Sequence, residues 1–364
     1  MRKCLLLIPR MGSGGAERVM ATIANNLCRD HEVRIVSMTD AESFYRLEDL
    51  VEIVGLGQTV NRKNKLTTLF SVVTGGVRVF FSLRREVKQW KPDVVLSFLQ
   101  SSNCMAIILK MLGGKYRLVV SERGDPHVRT KLNRWFEYHF YRKADAVVCQ
   151  GKKVTEFFRE KDRGNITVIP NPIAAEVVPP LFEGERRKTV VGVGRLDAQK
   201  NFPMLIRAFA ALPENFGDYT LEIYGGGKDE TKLQRIIDEA GLSERAFLMG
   251  VKQGVMHYIA DTSLYVMSSD YEGFPNALVE AMATGLPVIS TDFPTGVARD
   301  IVGEKNGIVI NTGDTEALTE AMSVLLSDEK KRAEMCAENR KIAQTLSEGT
   351  VMALWYKVLF TEDN

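Results

Sequence analysis

Two glutamates eight positions apart, Glu272 and Glu280, bracket Gly273-Phe274-Pro275-Asn276 and the start of a helical pattern. Proline suits a first helical turn because the N–H it lacks would go unpaired there. Ala277–Ala283 reads as helix, Gly285 stops it, and Val288-Ile289-Ser290 opens a strand. An open helix N-terminus presents backbone N–H groups and the positive end of its dipole, which suits phosphate. Carboxylates on either side suit sugar hydroxyls. A nucleotide-sugar is the ligand that needs both. A solvated acid pair at a loop–helix junction would present the same residues, so the remaining positions decide between the readings.

A second group lies in Val191-Gly-Val-Gly-Arg-Leu-Asp-Ala-Gln-Lys-Asn201, where Arg195 and Lys200 follow a predicted strand. A planar guanidinium and a compact ammonium together can neutralise a departing diphosphate; ordinary surface cations are the alternative. Two further glycine-rich turns follow predicted strands. One is Gly12-Ser-Gly-Gly-Ala-Glu-Arg18, with Gly14 and Gly15 at its centre, and the other is Ile223-Tyr-Gly-Gly-Gly-Lys228, beginning its glycines at Gly225. Glycine lets a backbone come close to a ligand, although a tight turn needs no ligand. The first run is not GxGxxG, so the dinucleotide fingerprint is absent. In Ser121-Glu-Arg-Gly-Asp-Pro-His127, Arg123 is a candidate contact to an anionic donor or acceptor and His127 a candidate base. Lone histidines are more often structural.

Strands and helices must position these groups. Leu5–Ile8, Val33–Met38, Val94–Phe98, Leu118–Ser121, Ala146–Cys149 and Thr167–Ile169 read as short buried strands, with helical patterns such as Ala16–Cys28 between them. After Pro170-Asn-Pro172 comes a loose, proline-containing stretch. The alternation then restarts with Thr189–Val193, Thr220–Tyr224, Ala246–Leu248, Leu264–Met267, Val288–Ser290 and Gly307–Ile310. This predicts an α/β fold of two doubly wound, Rossmann-like domains with parallel sheets, facing across a cleft. The expected boundaries are 1–172 for the first domain, 173–185 for a linker and 186–348 for the second. A last helix within 349–364 follows, and Gly75-Gly76 is expected to interrupt a basic, amphipathic Lys65–Trp90 segment.

Composition narrows the classes. The 364 residues suit about two domains. Five scattered cysteines without a CxxC argue against a disulfide frame or a zinc site, and no cluster of aspartates suits a divalent ion. No metal and no cofactor are expected. No segment reads as a membrane span, and the apolar start is too short for a signal peptide, so a cytoplasmic location is expected. Through Pro172 there are 29 Lys and Arg against 17 Asp and Glu; beyond it there are 19 against 29. The basic half should meet an anionic surface, such as the inner face of the cell membrane. Its cations form no lysine-rich tract interleaved with aromatics, so nucleic acid is not an expected partner.

Taken together, the Glu272–Glu280 pair, Gly194-Arg195 with Lys200-Asn201, the Gly14-Gly15-Ala16-Glu17-Arg18 turn and the two-domain order resemble retaining glycosyltransferases of family 4 with the GT-B fold. The resemblance spans essentially the whole chain. Its first half looks like the branch that extends lipid-linked oligosaccharides, capsule or O-antigen. The resemblance implies roles by position. Arg195 and Lys200 hold the donor diphosphate, Glu272 contacts the transferred sugar, and Glu280 binds the nucleotide ribose. Phe274, Asn276, Ala277 and Leu278 line the phosphate through backbone groups, while Gly14 and Gly15 let the first domain close over the donor. Where many relatives carry a histidine near Ser121–Arg123, this chain has Arg123, with His127 later. The resemblance thus implies transfer from a nucleotide diphosphate sugar, uridine being the family's usual base, to a glycan acceptor that is lipid-linked or polymeric. The rivals are a retaining glycoside hydrolase, whose carboxylates stand about 5–5.5 Å apart across the bond, a sugar-nucleotide epimerase, and a non-catalytic two-lobed nucleotide-sugar-binding module.

Overall fold

Short runs rich in valine, isoleucine and leucine form the strands of two separate sheets. The computed structural model describes residues 1–57, 65–124, 129–159 and 165–361. The chain divides into one unit of Met1–Gln150, Val154–Pro170 and Val351–Asn364, and a second of Gly151–Lys153 and Asn171–Thr350.

In the first unit the strands are β1 (Lys3–Ile8), β2 (Glu32–Ser37), β3 (Val51–Gly55), β4 (Val94–Phe98), β5 (Arg117–Ser121), β6 (Ala146–Cys149) and β7 (Ile166–Val168). They form a seven-stranded sheet in the order β3-β2-β1-β4-β5-β6-β7. Every pairing is parallel. Successive side chains of β1 leave opposite faces, as strand geometry requires. Leu6 and Ile8 enter one core and Leu5 and Leu7 another. The last helix, Glu348–Phe360, adds Val351, Met352, Trp355 and Leu359 to the core that holds Leu6 and Ile8.

The second unit contains β8 (Arg187–Val193), β9 (Thr220–Tyr224), β10 (Ala246–Gly250), β11 (Thr262–Met267), β12 (Val288–Asp292) and β13 (Gly307–Asn311). Their order is β10-β9-β8-β11-β12-β13, again parallel throughout. Val190 and Leu264 face one core while Val191 and Tyr265 face the other. Both units are Rossmann-like. In such sheets the order reverses beside the first strand, and the crevice at the carboxyl ends of the two strands flanking that point is where ligands bind. In the second unit those strands are β8 and β11.

Three sequence expectations change. Strand β3 was not foreseen: it lies at the sheet edge, and its run Val51-Glu52-Ile53-Val54 carries no continuous apolar signal. Lys65–Trp90 is one helix, uninterrupted at Gly75-Gly76; tertiary packing of residues such as Val79 and Leu83 outweighs glycine's modest helix penalty. The stretch expected as a loose linker packs onto the second unit. Ile173 is buried there and its N–H donates to the carbonyl of Leu346 at 2.8 Å.

Candidate functional site

The residues predicted to do chemistry gather at the carboxyl ends of β8 and β11. Strand β8 ends at Val193, and the chain turns through Gly194-Arg195 into a short 3-10 turn, Ala198–Lys200. Strand β11 ends at Met267 and runs through Ser268-Ser269-Asp270 to Glu272. The two loops are laced together. The Asp270 N–H donates to the Gln199 carbonyl at 2.9 Å, Ser268 Oγ donates to the Lys200 carbonyl at 2.8 Å, and Asn201 Nδ2 donates to Asp270 Oδ1 at 2.8 Å. Asn201 carries a left-handed backbone (φ 45°), a conformation asparagine tolerates better than most residues, and it starts the helix Phe202–Ala210.

This lacing brings Lys200 and Glu272 into contact. Lys200 Nζ lies 2.6 Å from Glu272 Oε1, with only 14% and 9% of the two side chains exposed. Ser269 Oγ donates to the same oxygen at 2.8 Å, and Gln199 Nε2 reaches Glu272 Oε2 at 3.2 Å. The Glu272 main chain is fixed too, since Thr295 Oγ1 donates to its carbonyl at 3.1 Å. Arg195 differs from Lys200. Its side chain is 71% exposed, 3.4 Å from Asp197 Oδ2, and its Nη2 donates to Gln199 Oε1 at 3.0 Å. One cation is therefore sequestered against the acid and the other extends toward solvent.

Beyond Glu272, Pro275 stands at the helix boundary and Asn276–Ala283 is the helix, with no side chain capping its first turn. The side chains of Phe274 and Leu278 are buried in the core. What these residues can offer a ligand is therefore backbone, as at other helix N-termini that take anions. The Asn276 and Leu278 N–H groups already donate to the carbonyls of Phe274 and Pro275 at 3.0 Å each, so an anion there competes with those bonds. The Asn276 side chain is already engaged, its Oδ1 accepting from Asn171 Nδ2 at 2.8 Å. Glu280 sits one turn further along and is 8% exposed. Beneath lies Tyr265, fully buried on β11. Burial foremost, then the charges of Glu272 and Glu280, push its hydroxyl well above the ordinary range, so it stays protonated.

Gly225 has a structural task beside the site. A Cβ there would stand 1.8 Å from the Gly194 carbonyl oxygen, and φ is +147°. The β8 and β9 loops zip together at this point, with the Gly194 N–H donating to Tyr224 O and the Leu196 N–H to Gly226 O. The glycine lets one loop touch the other and so sets where Arg195 begins.

The remaining candidates lie in the first unit. Gly14 is the boundary residue of the helix Gly15–Leu27 at the carboxyl end of β1, again without a side-chain cap. Arg123 is buried, with its guanidinium carbon 3.9 Å from the centre of the Phe98 ring and 5.5 Å from that of Trp355. Burial lowers its pKa to about 9, against the pull of Glu122. Residue His127 is outside the described residues. Among the described residues no group of three His, Cys, Asp or Glu side chains could hold a metal ion.

Sequence reasoning missed Gln199, Ser269, Thr295 and Asn171. None carries charge, and each acts through hydrogen bonds that only the fold creates. The signal available for Gln199 was its place directly before Lys200.

Comparison with known proteins gives the family. Residues 13–177 match the family model described as Glycosyltransferase Family 4, and residues 176–342 match Glycosyl transferases group 1. A Campylobacter jejuni protein named GalNAc-alpha-(1->4)-GalNAc-alpha-(1->3)-diNAcBac-PP-undecaprenol alpha-1,4-N-acetyl-D-galactosaminyltransferase is 28% identical over 363 residues, covering 99% of this chain and 98% of that one. A second from the same organism, an N-acetylgalactosamine-N,N'-diacetylbacillosaminyl-diphospho-undecaprenol 4-alpha-N-acetylgalactosaminyltransferase, is 28% identical over 352 residues, covering 91% and 92%. The solved structure of Anabaena HepE in complex with UDP superposes with a TM-score of 0.80 at 17% identity, covering 99% of each chain.

Proposed function

Starting from the family 4 glycosyltransferases of GT-B fold, to which this chain belongs, we propose that it moves an N-acetylhexosamine or hexose from a UDP-sugar to a hydroxyl of a lipid-linked glycan, with retention at the anomeric carbon. The observation that carries this reading is the hydrogen-bonded group at the ends of β8 and β11. It joins two cations, Arg195 and Lys200, to one acid, Glu272, beside the open start of the helix Asn276–Ala283. The lipid-linked acceptor and the N-acetylated sugar are suggested by the two Campylobacter names, and uridine by the UDP complex.

In this reading the bond between the anomeric carbon and the diphosphate oxygen breaks, and its electron pair leaves with the diphosphate. Arg195, Lys200 and the backbone N–H groups near Asn276 take up that charge without a metal ion. Each such donor is worth on the order of 3 kcal/mol of barrier. Glu272 orients the sugar as positive charge develops, and Glu280 holds the ribose. The acceptor hydroxyl attacks from the face the diphosphate leaves, and its proton passes to the departing phosphate oxygen. The second unit is the donor domain and the first the acceptor domain, with Gly14 and Gly15 candidate donor contacts and Arg123 and His127 candidate contacts to acceptor or donor.

The test is a panel of nucleotide-sugars with an undecaprenyl-diphosphate-linked acceptor, the product's anomeric configuration being read by NMR coupling. UDP should raise the melting temperature, because a ligand that binds only the folded form stabilises it. Combining Arg195→Ala with Lys200→Ala should abolish turnover. An inverted product, or near-normal rates in that double variant, would refute the assignment.

A further inference from the structure

Gln199 touches both arms of the site. Its amide oxygen accepts from Arg195 Nη2 at 3.0 Å. Its amide nitrogen donates to the Tyr271 carbonyl at 2.9 Å and to Glu272 Oε2 at 3.2 Å. Its own backbone is pinned from two sides: the N–H donates to Asp197 Oδ1 at 3.1 Å and the carbonyl accepts from the Asp270 N–H at 2.9 Å. The amide orientation follows from chemistry. Reversed, its oxygen would face a carbonyl and a carboxylate with no proton between them, and its NH2 would face a guanidinium. Only a side chain with an acceptor at one corner and a donor at the other can bridge a cation and an anion this way. Glutamate lacks the donor, and leucine lacks both.

From this we infer that Gln199 is a positioning residue for sugar transfer, an inference that rests on the proposed donor site. It couples the exposed Arg195, which meets the diphosphate, to the buried Glu272, which meets the sugar. Arg195 is largely solvent-exposed, so without the bridge its side-chain partner among the described residues is Asp197, which draws it by charge at 3.4 Å. The bridge fixes the guanidinium relative to the carboxylate, so the two groups act on the ends of one bond at a set separation. Removing the bridge changes neither the Lys200–Glu272–Ser269 contacts nor the charge of Arg195, so the ground-state competition for the diphosphate stays as it was and its binding survives. What is lost is alignment in the transition state, which appears in kcat.

The experiment uses the full chain. First, UDP, GDP and ADP are titrated into the unaltered protein by calorimetry; if none binds, the donor site itself is refuted, whatever Gln199 does. With the binding nucleotide known, Gln199→Leu is compared with the unaltered protein for nucleotide affinity, melting temperature, and kcat and KM with the matching nucleotide-sugar. The expected result is a fall in kcat of about 30-fold with nucleotide affinity held within about threefold. In an Arg195→Ala background the same substitution should cost at least about threefold less, because one end of the bridge is already missing. Gln199→Glu, nearly the same shape, serves if the leucine variant does not fold. It should lose at least as much, since its carboxylate opposes Glu272. Unchanged kcat overturns the inference. So does full additivity with Arg195→Ala, or a loss of nucleotide affinity matching the loss of rate.

Discussion

Lys200 and Glu272 neutralise each other at 2.6 Å, nearly out of solvent. Under the proposed function a diphosphate must compete with Glu272 for that ammonium. Replacing Glu272 by Gln keeps the shape and an acceptor for Ser269 but removes the competing charge. The variant should bind UDP more tightly, by on the order of tenfold or about 1.4 kcal/mol, while its turnover falls at least about a hundredfold. Calorimetry and steady-state rates on the same preparation check both halves. UDP affinity that stays the same or weakens would show that the pair is not what the diphosphate displaces. Lys200→Ala behaves differently. It leaves a nearly buried carboxylate with Ser269 and Gln199 as its partners among the described residues, and breaking a buried pair costs about 3–5 kcal/mol. Melting curves must therefore accompany any rate measured on that variant, and Arg195→Ala, whose side chain is exposed, is the cleaner probe of charge.

Loop and helix junctions decide how these residues meet. A Cβ at position 225 would sit 1.8 Å from the Gly194 oxygen, so Gly225→Ala must push the β8 and β9 loops apart. It should destabilise the second domain by on the order of 3 kcal/mol and lower nucleotide affinity as well, measured by denaturant unfolding and titration. A second junction lies behind β5 in the first unit. There Glu122 and Glu137 share Arg129, whose Nη1 is 2.7 Å from Glu137 and whose Nη2 is 2.5 Å from Glu122. Tyr141 donates to Glu122 at 3.1 Å. Burial, then the charge of Glu122, raises the Glu137 carboxyl from 4.5 to about 8, against the opposing charge of Arg129; Cys104 and Tyr141, both raised by burial, stay neutral beside it. The folded state thus holds a proton that the unfolded chain releases above pH 4.5. That contribution is fully present below pH 4.5 and is lost as pH rises to about 8. Thermal stability should fall across this window, and Glu137→Gln should flatten the fall and melt higher than the unaltered chain above it. An identical pH profile in the variant would contradict the buried-acid account. None of this cluster was visible in the sequence. Glu137 lies on the helix Lys131–Phe140 among residues that read as surface, and it is the packing of that helix against the helix Gln100–Met111 that takes the carboxyl out of water. The acids and cations of the second unit were legible because glycine, strand ends and charge coincide in short runs. The bridging amides and hydroxyls were not, because their partners are up to 105 residues away.

Across the whole chain, the alternation of strand and helix and its restart after Pro170 revealed two sheets, since parallel strands need long crossovers that leave a periodic trace. The charge split was as visible: net +12 through Pro172 and −10 beyond. No described helix is long and apolar enough to cross a membrane; under the proposed function, a lipid-linked acceptor calls for a surface that can meet a membrane. The helix Lys65–Trp90 offers one among its described side chains. Val79 and Leu83 point into the core, while Val77 (53% exposed) and Phe81 (58% exposed) face out, and Arg78, Arg85 and Lys88 are exposed with them. Apolar groups beside cations on one exposed stripe suit the headgroup region of an anionic leaflet, where each cation is worth about 1 kcal/mol. The protein should therefore sediment with vesicles containing about a third anionic lipid and stay in solution with neutral ones. Binding should weaken steeply between about 0.1 M and 1 M salt, as the screening length falls from about 10 Å to about 3 Å. Arg85→Glu should reduce it, and Phe81→Ser should reduce it further by removing the inserted ring, while turnover with a detergent-soluble acceptor is unchanged. Equal partitioning onto neutral and anionic vesicles would remove the electrostatic basis of this surface, leaving the stripe as the plain outer edge of a core-facing helix.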